Sequence, residues 1–417
     1  MKRLLLFCLF PLLIHAERPD DLSLEGVSRA ALANNPGVKE ALEKWSAMRA
    51  RIPQEAAWDD PRVSVQSRLA RFVSIPPNAF ADQTLSVEQM IPLSGRNRSR
   101  ARAATAEAIS AFEEVRRRQL DVLAKARAAY FRLANAYAQI ELNRGNLISL
   151  QQIAESSRAG YQAGSRTGAD VLVADTEASK LLEARRDLET SLAAEQSRLN
   201  VLMNRDAFAP LGKPADVPIE PMELPVDKLR ALALSNRPEV RMAEAAIEAA
   251  KARLELAHRE WIPEPALSIQ GQRYNGASQA ASELDAGISF NIPWGNHKKY
   301  SAAVREAAGN LAAARQALDA AQRDAIGLLR DALEKIETAR HHAELYNDKI
   351  VPRARQAFKA SQLAYESGKT GFSDWITAQR NVRDLDAMAR QSQADCQVAI
   401  AELEAVIGAD LGEKHAK

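Results

Sequence analysis

Proline placement sets the architecture of this chain. Behind the first apolar stretch, prolines run from Pro19 to Pro92, and none follows until Pro210. Pro210, Pro214, Pro218, Pro221 and Pro225 then come in quick succession, and after Pro293 only Pro352 remains. A proline in a helix interior removes a hydrogen bond and clashes with the preceding turn. The empty stretches are therefore where long helices can run, and 205–225 reads as a proline-rich linker. Aromatic residues make up only 5% of the chain and alanine is abundant. Small side chains with few rings suit helices packed closely side by side and do not suit a core built around a substrate pocket.

The two sides of the linker repeat one another. Ala31-Leu32-Ala33-Asn34-Asn35-Pro36-Gly37-Val38 matches Ala233-Leu234-Ser235-Asn236-Arg237-Pro238-Glu239-Val240, and Pro61-Arg62-Val63-Ser64-Val65 matches Pro265-Ala266-Leu267-Ser268-Ile269. Ile91-Pro92-Leu93-Ser94-Gly95 resembles Ile292-Pro293-Trp294-Gly295, and the spacing of Tyr161, Gly164 and Asp170 recurs in Tyr365, Gly368 and Asp374. Matches in the same order on both sides point to an internal duplication. The expected organisation is a first repeat over 17–204, the linker over 205–225, a second repeat over 226–408 and a tail over 409–417.

Each repeat reads as helix, two strands, long helix, turn, long helix. In the first, Leu123, Tyr130 and Tyr137 interleave with Ala126, Leu133, Ile140, Leu147, Ala154 and Tyr161, the seven-residue period of a coiled coil. From Arg96 to Gly160 such a helix would extend about 100 Å at 1.5 Å per residue. Gly160 and Gly164 supply the left-handed conformations that end it, placing a turn near 160–170. The returning helix carries Leu181, Leu188, Leu192, Leu199 and Leu202. The second repeat places its turn near 364–374, with Pro352 expected to break or kink the helix leading to it.

Segments 61–72, 83–92, 265–274 and 283–293 each have about the length of a tilted strand that crosses a bilayer. In the last, Leu284, Ala286, Ile288, Phe290 and Ile292 alternate with Asp285, Gly287, Ser289 and Asn291. Leu85, Val87 and Ile91 oppose Ser86 and Glu88 in the second, and Val63, Val65 and Leu69 oppose Ser64, Gln66 and Arg68 in the first. The third is least regular, with Gly271 and Arg273 on its apolar face. Trp58, Phe72, Trp261, Tyr274 and Trp294 fall near strand ends, where interfacial aromatic girdles lie in outer-membrane barrels. A soluble sheet packed on a helix alternates in the same way, so alternation alone leaves both readings open. Four strands cannot close a membrane barrel, and lipid does not tolerate open strand edges. Membrane strands here would therefore require several chains per barrel, and three copies give a barrel of twelve.

Met1 to Ala16 reads as a secretory signal: Lys2 and Arg3, an apolar stretch from Leu4 to Ile14, then Ala16 before the polar Glu17-Arg18-Pro19-Asp20. The formal charge is +2 from 56 basic and 54 acidic residues; removing the signal takes away two positive charges and leaves a neutral chain. Nucleic-acid binding through bulk charge is thereby excluded. Cys8 leaves with the signal and Cys396 stands alone, so no disulfide framework is expected. No later stretch has the roughly 18 apolar residues that a membrane-spanning helix needs.

Signal, duplicated halves, strand pairs ending in Ile-Pro and the repeated Tyr-x-x-Gly turn together resemble the TolC-type outer-membrane efflux proteins, over essentially the whole mature chain. Modest length and short surface loops look most like the heavy-metal (cobalt–zinc–cadmium type) branch. The resemblance implies a mainly α fold with a small β part: duplicated helical hairpins forming a periplasmic coiled-coil tunnel, and four strands per chain in a 12-stranded trimeric barrel. It also implies a homotrimer in outer-membrane lipid, docked to a periplasmic adaptor (membrane fusion) protein and an inner-membrane transporter of the RND type. Some members carry a lipid-anchoring cysteine after the signal, and this sequence has none there.

Asp170 and Asp374 begin the returning helices. Such residues cap a helix N-terminus; the resemblance alternatively places them in an acidic ring that narrows the tunnel entrance and favours cations. Tyr161, Gly164, Tyr365 and Gly368 shape the turns, and the resemblance adds contact with the adaptor. Gly368-Lys369-Thr370 is no phosphate loop, since Leu363 stands where the first glycine belongs and a helix precedes it. His341 and His342, adjacent on a helix, point about 100° apart and are poor joint metal ligands. Arg116-Arg117-Arg118 after Glu113-Glu114 reads as a salt-bridged helix face, and Arg96, Arg98, Arg100 and Arg102, directly after the second strand, are either simply solvated or meet lipid headgroups just below the barrel. No catalytic constellation, cofactor site or metal site is expected. Two functions follow: an exit duct of an efflux pump, conducting divalent metal cations or small toxic compounds, or a soluble periplasmic coiled-coil scaffold.

Overall fold

The computed structural model describes residues 22–67, 83–164, 166–215, 217, 225–274 and 281–409. The fold is mainly helical with one small sheet. In chain order the elements are α1 (Leu24–Asn34), α2 (Pro36–Ala56), β1 (Arg62–Ser67), β2 (Gln83–Met90), α3 (Arg96–Gln162), α4 (Gly168–Leu202), α5 (Val226–Asn236), α6 (Pro238–Arg259), β3 (Pro265–Tyr274), β4 (Ala281–Phe290), α7 (His297–Leu345), α8 (Val351–Glu366) and α9 (Phe372–Ile407). They form two compact units. One draws on the described residues up to 35, of 121–223 and of 332–403; the other draws on 36–120, 224–331 and 404–417. Each unit therefore takes segments from both sequence repeats.

The helix-proline-helix corners of the duplicated motif have a local cause. A residue before proline is driven out of the helical region, and Asn35 (ψ 125°) and Arg237 (ψ 124°) are both extended. Pro36 and Pro238 then open α2 and α6, where a missing N–H costs nothing. Pro352 is accommodated in a related way. Residues 346–350 form a π-helical turn, and Pro352 occupies the first turn of α8. The helix is interrupted by a local change of winding, as at other π-turns.

In the first unit the coiled-coil seam of α3 is buried at Ala126, Tyr130, Leu133 and Ala154, whereas Tyr161, the last residue of the pattern, is exposed. The seam ends there because α3 stops at Gln162. The described part of the proline-rich segment is pinned down at Lys213, Ala215 and Val217. Leu22 N–H donates to Lys213 O (2.9 Å), Ala215 N–H donates to Leu22 O (3.0 Å), and the Tyr130 hydroxyl lies 2.9 Å from Leu22 O and 2.8 Å from Ala215 O. Gln397 Nε2 donates to Val217 O. Cys396 is buried and unpaired.

The second unit holds the sheet, in the order β1-β2-β3-β4 with every neighbour antiparallel. Its strand exits are held by a buried ionic cluster. Glu264 accepts from Ser94 Oγ (2.5 Å) and pairs with Arg96 Nη1 at 2.9 Å, while Arg96 Nη2 reaches Asp59 at 2.7 Å. Arg102 pairs with Glu255 at 2.8 Å. Two of the arginines read as solvated or at lipid headgroups, Arg96 and Arg102, are thus taken up within the chain, because carboxylates from α6 and from the segments before β1 and β3 lie beside them. Among the described residues no helix is long and apolar enough to cross a membrane.

Candidate functional site

Two places in the fold carry the features singled out in the sequence: the pair of helix–helix turns in the first unit, and the sheet in the second.

The α3–α4 turn is closed by Gly164 at φ +72° and the α8–α9 turn by Gly368 at φ +70°. In that region a Cβ is strained whatever the free space, and only glycine adopts it readily. The aspartates that follow differ. Asp170 completes a capping box: Thr167 Oγ1 accepts from Asp170 N–H (3.4 Å), and the Asp170 carboxylate accepts from Thr167 N–H (3.3 Å). The equivalent of Thr167 before α9 is Gly371, which has no side chain to reciprocate. Asp374 is exposed, and among the described residues its carboxylate makes no hydrogen bond or ion pair.

The two tyrosines also differ. Tyr161 is exposed and covers Gly168, whereas Tyr365 is packed into an aromatic cluster. Its ring stacks on Trp375 (5.1 Å between centroids, 21° between planes) and meets Phe372 edge-on at 5.5 Å. The guanidinium of Arg166, from the α3–α4 turn, lies 4.8 Å from the Tyr365 ring centroid, a cation–π distance. Gly160 makes this possible, since a Cβ there would overlap the Arg166 side chain. Burial pushes the Tyr365 phenol up from its ordinary value of 10.0; Asp170 adds to the rise and Arg166 opposes it. Beneath the cluster, Leu150, Ile153 and Ala154 of α3, Ala174 and Leu181 of α4, and Phe372, Trp375 and Ile376 of α9 form one apolar core.

Next to that core lies a buried carboxylate that the sequence did not single out. Glu177 of α4 is 2% exposed and is held by Lys180 Nζ at 2.8 Å and by Arg380 Nη2 of α9 at 2.8 Å, with Arg383 at 3.9 Å. A buried carboxylate persists only with such partners. Elsewhere, Arg116 pairs with Glu113 at 2.8 Å and Arg117 with Glu114 at 2.6 Å. The His341 and His342 ring centroids stand 6.4 Å apart.

In the sheet, residues directly opposite one another on neighbouring strands share a face, so the register assigns both faces. Val63, Val87, Ile269 and Ala286 form one row, Val65, Leu85, Gly271 and Leu284 the next, and Gln89, Leu267 and Ile288 a third. The opposite face carries Ser64, Ser86, Gln270 and Asp285, then Gln66, Thr84, Gln272 and Glu283. Ser64 and Ser86 hydroxyls meet at 2.7 Å, and Gln272 Nε2 donates to Asp285 at 2.8 Å. Gly271 sits in register between Leu85 and Leu284, with open space where a side chain would stand, and Arg273 lies toward the far end of β3, opposite Gln83 and Ser282. The apolar rows are not covered by the chain: Val65 is 74%, Leu284 78% and Ile288 62% exposed.

Of the aromatic residues expected near strand ends, Trp58 precedes β1, Trp261 lies between α6 and β3, and Trp294 follows β4. Trp58 and Trp294 are exposed. Tyr274 closes β3 at the other end of the strands, and Phe72 lies outside the described residues.

The comparisons with known proteins agree with this arrangement. The chain is 28% identical over 273 residues to the probable efflux pump outer membrane protein SepC of Pseudomonas putida, covering 61% of this chain and 54% of SepC, so it spans about half the length of that relative. It is 22% identical over 393 residues to the cobalt-zinc-cadmium resistance protein CzcC of Cupriavidus metallidurans, covering 91% of this chain and 89% of CzcC. Its fold is like that of CusC, whose solved structure describes transmembrane channel formation, with a TM-score of 0.80 at 17% identity over 94% of this chain and 93% of that one. The outer membrane efflux protein profile matches residues 27–205 and 229–409, across both repeats. This chain therefore belongs to the outer membrane efflux protein family.

Proposed function

We propose that the protein is a passive exit duct of the outer membrane, in which three copies close one barrel of twelve strands above a periplasmic helical tunnel. The observation that carries this reading is the sheet: one largely apolar face left exposed, broken by Gln89 near one end and by Gln83 and Arg273 near the other, one mainly polar face opposite, and, among the described residues, open edges at β1 and β4. A sheet in water buries its apolar face, whereas a barrel wall turns it to lipid and its polar face to a lumen. Each repeat, 17–204 and 226–408, supplies one strand pair and one helical hairpin. Energy comes from an inner-membrane transporter of the RND type, coupled through a periplasmic adaptor. CzcC's name favours divalent metal cations as cargo, with small toxic compounds as the other class.

The experiment is the mass of the mature protein from washed outer membranes, by light scattering with detergent subtracted. Three copies that need detergent are expected. A monomer or dimer released by salt alone would leave a soluble coiled-coil scaffold instead.

At the turns, the free carboxylate of Asp374 is assigned to the acidic constriction, and Asp170 to capping, where loss of a cap costs about 1 kcal/mol. Asp374→Asn is expected to lower cation selectivity in planar bilayers, while Asp170→Ala, which removes the acceptor for Thr167 N–H, leaves selectivity unchanged and lowers stability. Tyr161, Gly164, Tyr365 and Gly368 form the adaptor-facing turns. Valine at both glycines, at about 1–2 kcal/mol of backbone strain each, should reduce export with trimers still formed. Trp58, Phe72, Trp261, Tyr274 and Trp294 are assigned to the two membrane interfaces.

A further inference from the structure

The two repeats leave the sheet through differently charged segments. After β2, Arg96 and Arg102 are each neutralised by carboxylates. After β4 the chain passes through exposed Phe290, Ile292 and Trp294 into His297, Lys298 and Lys299. Among the described residues neither lysine has a carboxylate partner, and both are exposed. An aromatic cluster stands beside Lys299. Trp261 lies 5.2 Å from the His297 ring and 5.7 Å from that of Tyr300, and Lys299 Nζ is 5.3 Å from the Tyr300 centroid. This cluster stands at the end of the sheet where Pro265 opposes Phe290, continuous with its exposed apolar face.

An apolar surface that gives way to tryptophan and tyrosine and then to unpaired lysines is the order of chemistry met on leaving a bilayer: acyl chain, interface, phosphate. Charge complementarity selects the occupant, since two adjacent cations without counter-charges suit an anionic headgroup better than a zwitterionic one. We propose that Lys298 and Lys299, which follow Trp294 in the chain and adjoin the Trp261–His297–Tyr300 cluster, bind the headgroup of an anionic phospholipid in the periplasm-facing leaflet. The inference rests on the reading of the sheet as a membrane wall.

The test is native mass spectrometry of the full-length protein from nonionic micelles doped with phosphatidylglycerol or phosphatidylcholine. The wild-type protein should retain phosphatidylglycerol preferentially. At roughly fivefold per lysine, K298Q with K299Q should weaken that retention about 25-fold and leave phosphatidylcholine retention unchanged. K298R with K299R should restore it, and K213Q with K228Q, the same charge loss outside the cluster, should not reduce it. Retention unchanged in the glutamine pair overturns the inference alone. A wild-type chain that stays in solution without detergent overturns it together with the membrane reading.

Discussion

Outer membranes from cells making the Ile288→Arg chain are expected to hold less than about a tenth of the wild-type amount of protein, with the remainder soluble or degraded. Ile288 sits in the apolar rows with Leu267 opposite it. A guanidinium in the lipid-facing band of a barrel costs about 2–4 kcal/mol near the midplane, and a closed trimer carries it three times. Ser289, the next residue, belongs to the polar face, so Ser289→Arg should reach the membrane in near-normal amount. Quantitative blotting of washed membrane fractions compares the two. Equal insertion of both variants would mean that the apolar face does not meet lipid.

The second large effect is expected at Glu177. Removing the buried Glu177 takes away its charge-assisted hydrogen bonds across α4 and α9, each worth about 1.5–3 kcal/mol, while Lys180 and Arg380, both partly exposed, turn to water. Glu177→Ala should therefore loosen the packing of α9 against α4, read as faster amide exchange over 372–383 in the detergent-solubilised protein. The same residue predicts a pH dependence. Burial pushes the carboxyl of Glu177 up, but the hydrogen bonds from Lys180 and Arg380 outweigh it and hold the group below its usual 4.5. A carboxyl with a lowered folded-state value adds stability above its unfolded value, and that stability is lost as pH falls through the folded one. Exchange protection of α9 should then decline below about pH 4.5 in the wild type. In Glu177→Gln it should start lower and show less of that decline.

Much of the fold was legible because it rests on properties that one residue reveals by itself. The proline-free stretches hold the longest helices, although Pro53 sits inside α2 and Pro36, Pro238 and Pro352 in first turns; alternation in 283–293 assigns faces without knowledge of a neighbour, and the glycine in Tyr-x-x-Gly marks a left-handed turn. What stayed hidden depends on pairs. The irregular third strand made sense only once the register set Gly271 between Leu85 and Leu284. The tip interactions were hidden for a further reason. Matching the halves draws attention to identities, and the contacts arise where the halves differ: Arg166 against Thr370, Thr167 against Gly371, Gly168 against Phe372, Val171 against Trp375. The capping box around Asp170 and the aromatic cluster around Tyr365 each exist in one half only, so twin motifs carry unlike sites. Glu177 gave no signal, because a lone glutamate with a lysine three residues on reads as an ordinary solvated pair. Its burial is decided by Arg380, about two hundred residues away in the chain.

The open edges of β1 and β4 bear on timing in the cell. A newly exported chain displays two rows of unsatisfied backbone groups and an uncovered apolar face, each a template for indiscriminate strand addition. In the proposed three-chain barrel, closure needs three such chains to meet, so the waiting period lengthens steeply as synthesis slows. Each copy is most vulnerable to aggregation and proteolysis during that wait, and factors that gather or shield nascent chains should govern yield more than the stability of the finished ring.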